Sequence, residues 1–405
     1  MDIKKLKNDF YWVGTLDPNL KIFDIVMDTE FGTSYNSYLL CTSVGNVLFD
    51  CTKETFYDEY VERLKAVTDL SDIKYLVVNH TEPDHAGGIA RLLKDNPDIT
   101  VVATQFAIRC LKEIVNLDFK ALKTDDGGKL ELGNKTLRFI HAPNLHWPDT
   151  MFTYIENDKI LVTCDMFGAH YCADCITLSA MSGKDKTDFM GAMEFYFAAI
   201  MAPFKEFVLS GIDKIKDIDI DMIAAGHGPV LDSGIDEIVE TYRHLASVPV
   251  KPDKKMIVVA YGSAYGYTRA LKDAVVEGIR ASGDIDTRVY DLEGIGTDKK
   301  AELMADLEIA DGVLFGSPTF VGEAIPPVWD VLIGMLPRIY SGRPASAFGS
   351  FGWSGEAVPH IIQRLEQLKM EVYGEGFRKK FKPMPEDLEE AKEFGKGFGT
   401  RVLEK

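Results

Sequence analysis

The chain has 405 residues, 46% hydrophobic and 27% charged, an ordinary globular composition that excludes wholesale disorder. At about 150 residues per domain this length suggests two or three domains. Asp and Glu outnumber Lys and Arg by 63 to 45, a formal charge of −18 that disfavours nucleic acid as a partner, because affinity for its phosphates comes from cations displacing counterions.

Six cysteines do not make a disulfide framework. The charged N-terminus lacks the apolar core of a signal peptide. The longest charge-free apolar run, near 195–204, falls short of the roughly 18 residues of a membrane span. The expectation is therefore a cytoplasmic protein with reduced thiols and no membrane partner.

In chain order, apolar runs predict strands over 38–41, 46–50, 74–79, 100–103, 136–141, 159–165 and 221–225. Amphipathic stretches predict helices over 55–66, 88–94, 105–114 and 186–201. Strands within the first 50 residues follow one another as hairpins, and later ones are separated by helices, so helices outside two sheets are expected. The segment Ser247-Val-Pro-Val-Lys-Pro-Asp-Lys-Lys255 reads as a linker, dividing the chain near residue 250 into domains 1–249 and 250–405. Beyond it, strands over 256–260, 286–291, 311–315, 344–348 and 371–373 surround a helix over 268–282, and a helix over 385–403 ends the chain. That alternation is the mark of an α/β doubly wound parallel sheet.

The densest chemistry is His80-Thr-Glu82-Pro-Asp84-His85, directly after the run Tyr75-Leu-Val-Val-Asn79. Read as extended chain, residues 80, 82 and 84 point the same way, with His85 opening the turn into a helix. Three further polar residues close apolar runs in the same manner. His146 lies in Asn144-Leu-His-Trp-Pro-Asp149, Asp165 ends Lys159-Ile-Leu-Val-Thr-Cys-Asp, and His227 ends Met222-Ile-Ala-Ala-Gly-His. Seven potential ligands exceed one tetrahedral zinc and suit two ions, with Asp165 a natural bridge. Imidazoles mixed with hard carboxylates fit non-haem iron, with zinc and manganese as alternatives.

In the second domain, Tyr261-Gly-Ser-Ala-Tyr-Gly-Tyr-Thr268 joins the first strand to a helix N-terminus, which favours an anion. Its candidate phosphate contacts are Ser263, Ala264, Tyr265, Gly266, Tyr267 and Thr268. The loop has neither the Lys of a Walker loop nor a G-x-G-x-x-G pattern, so triphosphate and dinucleotide lose ground to a phosphate monoester such as that of FMN. Ser317, Pro318, Thr319 and Phe320 follow the third strand, and Ser350, Phe351, Gly352, Trp353 and Ser354 follow the fourth. Strand ends of this kind bind ligands in doubly wound folds, and Trp353 is placed to lie against a flavin ring or to pack on its own domain.

These motifs resemble the flavodiiron proteins, and the resemblance covers both halves of the chain. It implies a metallo-β-lactamase-like αββα sandwich followed by a flavodoxin-like FMN domain. Glu82 stands where zinc hydrolases of that superfamily usually carry His. The resemblance implies that His80, Glu82 and His146 hold one iron, that Asp84 and His227 hold the other, and that Asp165 bridges them. His85 matches a position that some members turn away, with a water in its place. The implied activity is reduction of dioxygen to water, or of nitric oxide to nitrous oxide. Electrons would come through FMN from rubredoxin or a reduced deazaflavin coenzyme, in a head-to-tail homodimer or dimer of dimers. The competing reading is a dizinc hydrolase fused to a flavodoxin module. His170 and Tyr196 are expected either near the metals or in structural roles, and Cys172 and Cys175 as reduced loop thiols.

Overall fold

The computed structural model describes residues 4–25, 27–173, 175–247, 251 and 253–405. The chain divides into two compact units, Met1–Val248 and Pro249–Lys405. Of the linker expected over 247–255, residues 248–250 and 252 lie outside the described residues.

The first unit is built on two sheets. One has seven strands in the order β1 (Lys4–Lys7), β2 (Phe10–Trp12), β3 (Tyr38–Leu40), β4 (Asn46–Phe49), β5 (Ile73–Val77), β6 (Thr100–Ala103) and β7 (Lys120–Lys123). Its first four strands pair antiparallel and the remainder parallel. The other sheet runs β8 (Lys129–Glu131), β9 (Thr136–His141), β10 (Met151–Ile155), β11 (Ile160–Cys164) and β12 (Met222–Ala225), with only the last pair parallel.

Period-two alternation distributes the side chains over four layers. Tyr38, Leu40, Val47, Phe49 and Val77 point at Phe139, Met151, Ile160, Val162 and Ala224 of the other sheet, forming the core between the sheets. Leu39, Leu48 and Leu76 point the opposite way, onto the helices Tyr57–Lys65, Ile89–Asp95 and Gln105–Val115. Phe152, Leu161 and Ile223 face the helices Gly183–Tyr196, Lys205–Ile215 and Ile235–Leu245. This is the αββα sandwich.

Several elements differ from the sequence expectations. The strand Met151–Ile155 was not expected; it is buried on both faces, so no alternation marks it. The helix expected over 186–201 begins earlier, where Ser182 Oγ accepts from the Asp185 amide, and changes to a π-helix over Phe197–Met201. The helical stretch Gly183–Ile215 is long and apolar enough to cross a membrane by composition, but Phe189, Met193, Tyr196, Met201, Val208 and Ile212 are buried in the unit's core.

The second unit is a parallel sheet ordered β14 (Asp286–Asp291), β13 (Met256–Tyr261), β15 (Gly312–Gly316), β16 (Pro344–Phe351), β17 (Glu371–Val372), with β18 (Phe377–Lys380) also pairing β16. Helices Tyr267–Ser282 and Pro385–Leu403 bury Val275, Ile279, Phe398 and Val402 against one face. Helices Thr297–Ile309, Pro326–Gly334 and Ala357–Gln367 cover the other. The fold is doubly wound, as expected. The fourth strand runs three residues beyond its expected end, so Gly349–Phe351 belong to the sheet rather than to a loop.

Candidate functional site

Every candidate ligand in the first unit lies just beyond the C-terminal end of a strand. The peptide after β5 is fixed first. Asp50 Oδ1 accepts from the Asn79 amide at 2.7 Å, and its Oδ2 accepts from Asn79 Nδ2 at 3.0 Å. The Met151 amide then donates to the Asn79 carbonyl at 2.9 Å, joining the two sheets beside the site. His80 follows, and Pro83 opens a helical turn, Pro83–Ala86. This corrects the extended reading of 80, 82 and 84: proline favours the first position of a helix, so Asp84 and His85 curl away from the direction of His80 and Glu82.

Two clusters result, divided by Asp165. Asp165 Oδ2 lies 3.4 Å from His80 Nε2 and 3.2 Å from His146 Nε2, and Glu82 Oε2 lies 3.2 and 3.0 Å from the same two nitrogens. Asp165 Oδ1 lies 2.9 Å from His85 Nε2 and 3.5 Å from His227 Nε2. Asp84 Oδ2 is 3.1 Å from His227 Nε2 and 3.5 Å from His85 Nε2. The ligand atoms within each cluster lie within 4.8 Å of one another. All seven expected residues are therefore assembled, and His85 points inwards.

The buried carboxylates and imidazoles shift one another strongly. Burial opposes the charged form of His80, but Asp149 and Glu82 outweigh it and raise its pKa well above 6.5. The balance of burial against Asp84 and Asp165 lifts His85 to about 10, and burial against Asp165 and Glu82 lifts His146 to about 9. Burial works against the Asp165 carboxylate too, yet His85 and His146 hold it well below the ordinary range. Both oxygens of Asp84, Oδ2 of Asp165 and Nδ1 of His85 are buried without a hydrogen-bond partner. Buried polar atoms normally find partners, so unsatisfied carboxylate oxygens converging with imidazole nitrogens fit two hard divalent ions.

The surroundings orient these ligands. Asp149 Oδ2 accepts from the Thr81 amide at 2.7 Å and Thr81 Oγ1 at 2.8 Å, and lies 3.3 Å from His80 Nδ1. His227 Nδ1 lies 2.6 Å from the Ser34 carbonyl. Trp147 packs edge-on against His80. The His170 ring packs edge-on and the Tyr196 ring tilted beside His227, and His170 Nδ1 shares a 2.8 Å hydrogen bond with Thr33 Oγ1. Beyond those two rings opens a cleft of about 530 Å³, walled by Phe31, Phe195 and Ala192.

Sequence reasoning missed three neighbours. Asp24 sits beside Glu82 and Asp84, and burial together with those charges raises its pKa. Cys164 Sγ lies with His85 and Asp165, although no cysteine was expected there; burial and Asp50 push its thiol far up, so it stays neutral. Gly226 backs the His85 ring, with its ideal Cβ position 2.7 Å from His85 Cε1. Its signal is the Gly-His pair itself. His141, also at a strand end, lies apart from both clusters and shares a hydrogen bond with Thr124 Oγ1. Cys172 and Cys175 are half-buried, and Asp174 between them lies outside the described residues.

In the second unit, left-handed Gly266 turns the chain into the helix Tyr267–Ser282. Ser263 Oγ accepts from the Arg269 amide at 3.2 Å, and Thr268 Oγ1 shares a 2.8 Å hydrogen bond with Ser350 Oγ. The Thr319 amide donates to the Ser350 carbonyl at 3.0 Å, and Ser317 Oγ accepts from the Ile325 amide at 3.0 Å. The three expected loops thus meet at one end of the sheet. Tyr265, Phe320 and Trp353 stand exposed around them. Ungated aromatic faces beside a hydroxyl-rich helix N-terminus fit a flavin ring and its phosphate.

Fold and site together define a two-unit redox flavoprotein with a dinuclear metal centre in a metallo-β-lactamase-like domain and FMN in a flavodoxin-like one. Residues 33–228 match the family described as ODP family beta lactamase, and residues 259–395 match Flavodoxin. Flavo-diiron protein FprA2 of Clostridium acetobutylicum is 41% identical over 404 residues, spanning 98% of this chain and 99% of that one. Anaerobic nitric oxide reductase flavorubredoxin of Escherichia coli is 33% identical, spanning 96% of this chain and 81% of its own. The crystal structure of the flavodiiron protein from Giardia intestinalis superposes with a TM-score of 0.66 at 30% identity, covering 100% of this chain and 97% of that one. The chain belongs to the flavodiiron protein family, an oxidoreductase family whose cofactors are FMN and a diiron centre.

Proposed function

We propose that this chain reduces dioxygen to water, with nitric oxide reduction to nitrous oxide as the second activity of the same centre. Its metal ligands would be His80, Glu82 and His146 on one side and Asp84, His85 and His227 on the other, with Asp165 bridging. The observation that carries the reading is the division of Asp165, whose two oxygens face separate three-residue clusters. Two ferrous ions there would supply two electrons and open coordination positions for a diatomic, and FMN would supply two more electrons.

The chain's own residues hold that chemistry in place. Asp149 fixes the His80 ring and the Ser34 carbonyl fixes that of His227, so both present Nε2 to the ligand cluster. Trp147 and the buried His170 and Tyr196 keep the imidazoles packed and exclude bulk water from their flanks. Dioxygen needs four electrons and four protons for two waters, and two nitric oxides need two of each for nitrous oxide and one water. The dizinc hydrolase reading is not favoured: Glu82 in the first cluster and a flavin unit on the same chain are of no use to it.

The physiological donor would be a rubredoxin-type protein or a reduced deazaflavin coenzyme, and the working form a cytoplasmic head-to-tail dimer or dimer of dimers. FMN would be held by residues 263–268, 317–320 and 350–354. The test is anaerobic reduction of iron- and FMN-loaded protein followed by stopped-flow mixing with dioxygen or nitric oxide. Rapid consumption of either gas is expected, and consumption of neither refutes the reading.

A further inference from the structure

Residues 377–384, Phe-Arg-Lys-Lys-Phe-Lys-Pro-Met, hold four cations and no carboxylate in a chain of net charge −18. The segment comprises β18 and the turn after it, and it is bonded directly to the third flavin-side loop. Lys379 and Lys380 pair in register with Ser350 and Phe351, and the Phe381 amide donates to the Phe351 carbonyl at 2.8 Å. Arg378 Nη1 donates to the Gly355 carbonyl at 2.6 Å. The Phe381 ring lies against Gly352, 3.6 Å from where a Cβ there would stand.

Among the described residues, Lys379 is the one of these four cations in an ion pair, with Asp387 at 2.9 Å and Glu390 at 2.6 Å. Lys380 and Lys382 are exposed and form no ion pair with any described residue. Between and beside them, Phe381 is 57% exposed, Met384 61% and Trp353 86%. A charge run on a solvated face has no reason to expose Phe381 and Met384, and Trp353 borders them at the flavin site. An apolar centre with an unpaired cationic rim is the anatomy of a protein-docking surface, and brief electron-transfer encounters are steered by such charge.

We infer that Arg378, Lys380, Phe381, Lys382 and Met384, with Trp353 at their edge, dock a small acidic electron-carrier protein that delivers electrons to the flavin. This deepens the function proposed above and rests on it. The partner's carboxylates would meet Lys380 and Lys382, while its apolar surface near the redox centre would cover Phe381 and Trp353. Each encounter passes one electron from the reduced carrier, which leaves oxidised by one electron. Two encounters supply the pair.

The test uses the full-length, iron- and FMN-loaded protein and the double variant Lys380→Glu with Lys382→Glu. Reduced rubredoxin of net negative charge is the probe, and dithionite is the reductant that needs no docking. At low ionic strength the charge reversal should slow flavin reduction by rubredoxin on the order of tenfold to a hundredfold. The gap should close in high salt. FMN content and the rate with dithionite should stay unchanged. Zinc-substituted rubredoxin should bind the variant correspondingly more weakly in calorimetry. A rubredoxin rate indifferent to the charge reversal overturns the inference, as does a change of oligomeric state, which would assign the patch to a second copy of the chain. If dithionite-reduced wild-type protein consumes neither gas, the parent reading has failed; if it consumes gas but rubredoxin ignores the reversal, only the docking surface has failed.

Discussion

Replacing Gly226 with alanine would set a methyl carbon 2.7 Å from His85 Cε1, 3.1 Å from the Cys164 carbonyl carbon and 3.3 Å from Cys164 Sγ. Real side chains do not tolerate the first distance, so something must move. The backbone is poorly placed to do so: the Gly226 amide donates to the Cys164 carbonyl at 2.6 Å, and its own carbonyl accepts from the Asn36 amide at 2.9 Å. The His85 ring is the free party, with Nδ1 unpartnered and Nε2 held by Asp165 at 2.9 Å. Alanine should therefore push the imidazole out of the second cluster. Overpacking of this kind costs about 1–3 kcal/mol, and loss of an orienting contact weakens metal binding roughly tenfold to a hundredfold. Iron titration of the metal-free protein should show the second equivalent weakened while the first is retained. The decisive comparison is a cycle with His85→Ala, which empties the space. There, Gly226→Ala should add little to either melting temperature or iron affinity. An equal penalty in both backgrounds would refute the argument and move the cause to Cys164.

Asp149→Asn keeps the shape beside His80 but removes the charge, and should weaken iron binding roughly tenfold to a hundredfold in equilibrium titration; unchanged affinity would show that Asp149 serves only the Thr81 turn. In the metal-free protein, His85 near 10 and His146 near 9 lie above the unfolded value of 6.5. Their stabilisation is therefore complete below about pH 6.5 and lost as pH rises through 9 to 10, which thermal melts between pH 6 and 10 should trace. Because ligating imidazoles must be neutral, iron uptake at pH 7 should release protons, read by calorimetry in buffers of different ionisation enthalpy; no release would contradict the assigned protonation. Thr268→Val removes the hydroxyl bonded to Ser350. It should weaken FMN binding by about 1 kcal/mol, roughly fivefold in Kd by flavin fluorescence.

The ligand residues were legible because each breaks an apolar strand with an imidazole or carboxylate, a pattern that core packing alone does not produce. The same holds for the flavin-side loops, where glycines and hydroxyls follow buried strands. Direction was less legible than identity. Glu82 and Asp84 read as neighbours on one face, and only Pro83, which starts a helical turn, separates their clusters. The strand Met151–Ile155 escaped because burial on both faces removes alternation. The short paired strands Thr15–Asp17 with Thr33–Tyr35, and Ile22–Phe23 with Met27–Asp28, are too brief for any period to show. Gly226 and Cys164 are placed by tertiary contact with His85, which sequence spacing does not encode.

The ligands come from both layers of the sandwich: His80, Glu82, Asp84 and His85 follow the seven-stranded sheet, while His146, Asp165 and His227 follow the five-stranded one. Ions held among them act as staples between two halves that are otherwise joined by side-chain packing and bonds such as Met151 to Asn79. Metal supply then becomes a term in folding as well as in catalysis, since any ion that binds only the native arrangement shifts the unfolding equilibrium by mass action. A cell short of iron would hold a protein that is easier to open and to degrade, so its abundance would follow the metal even at constant synthesis.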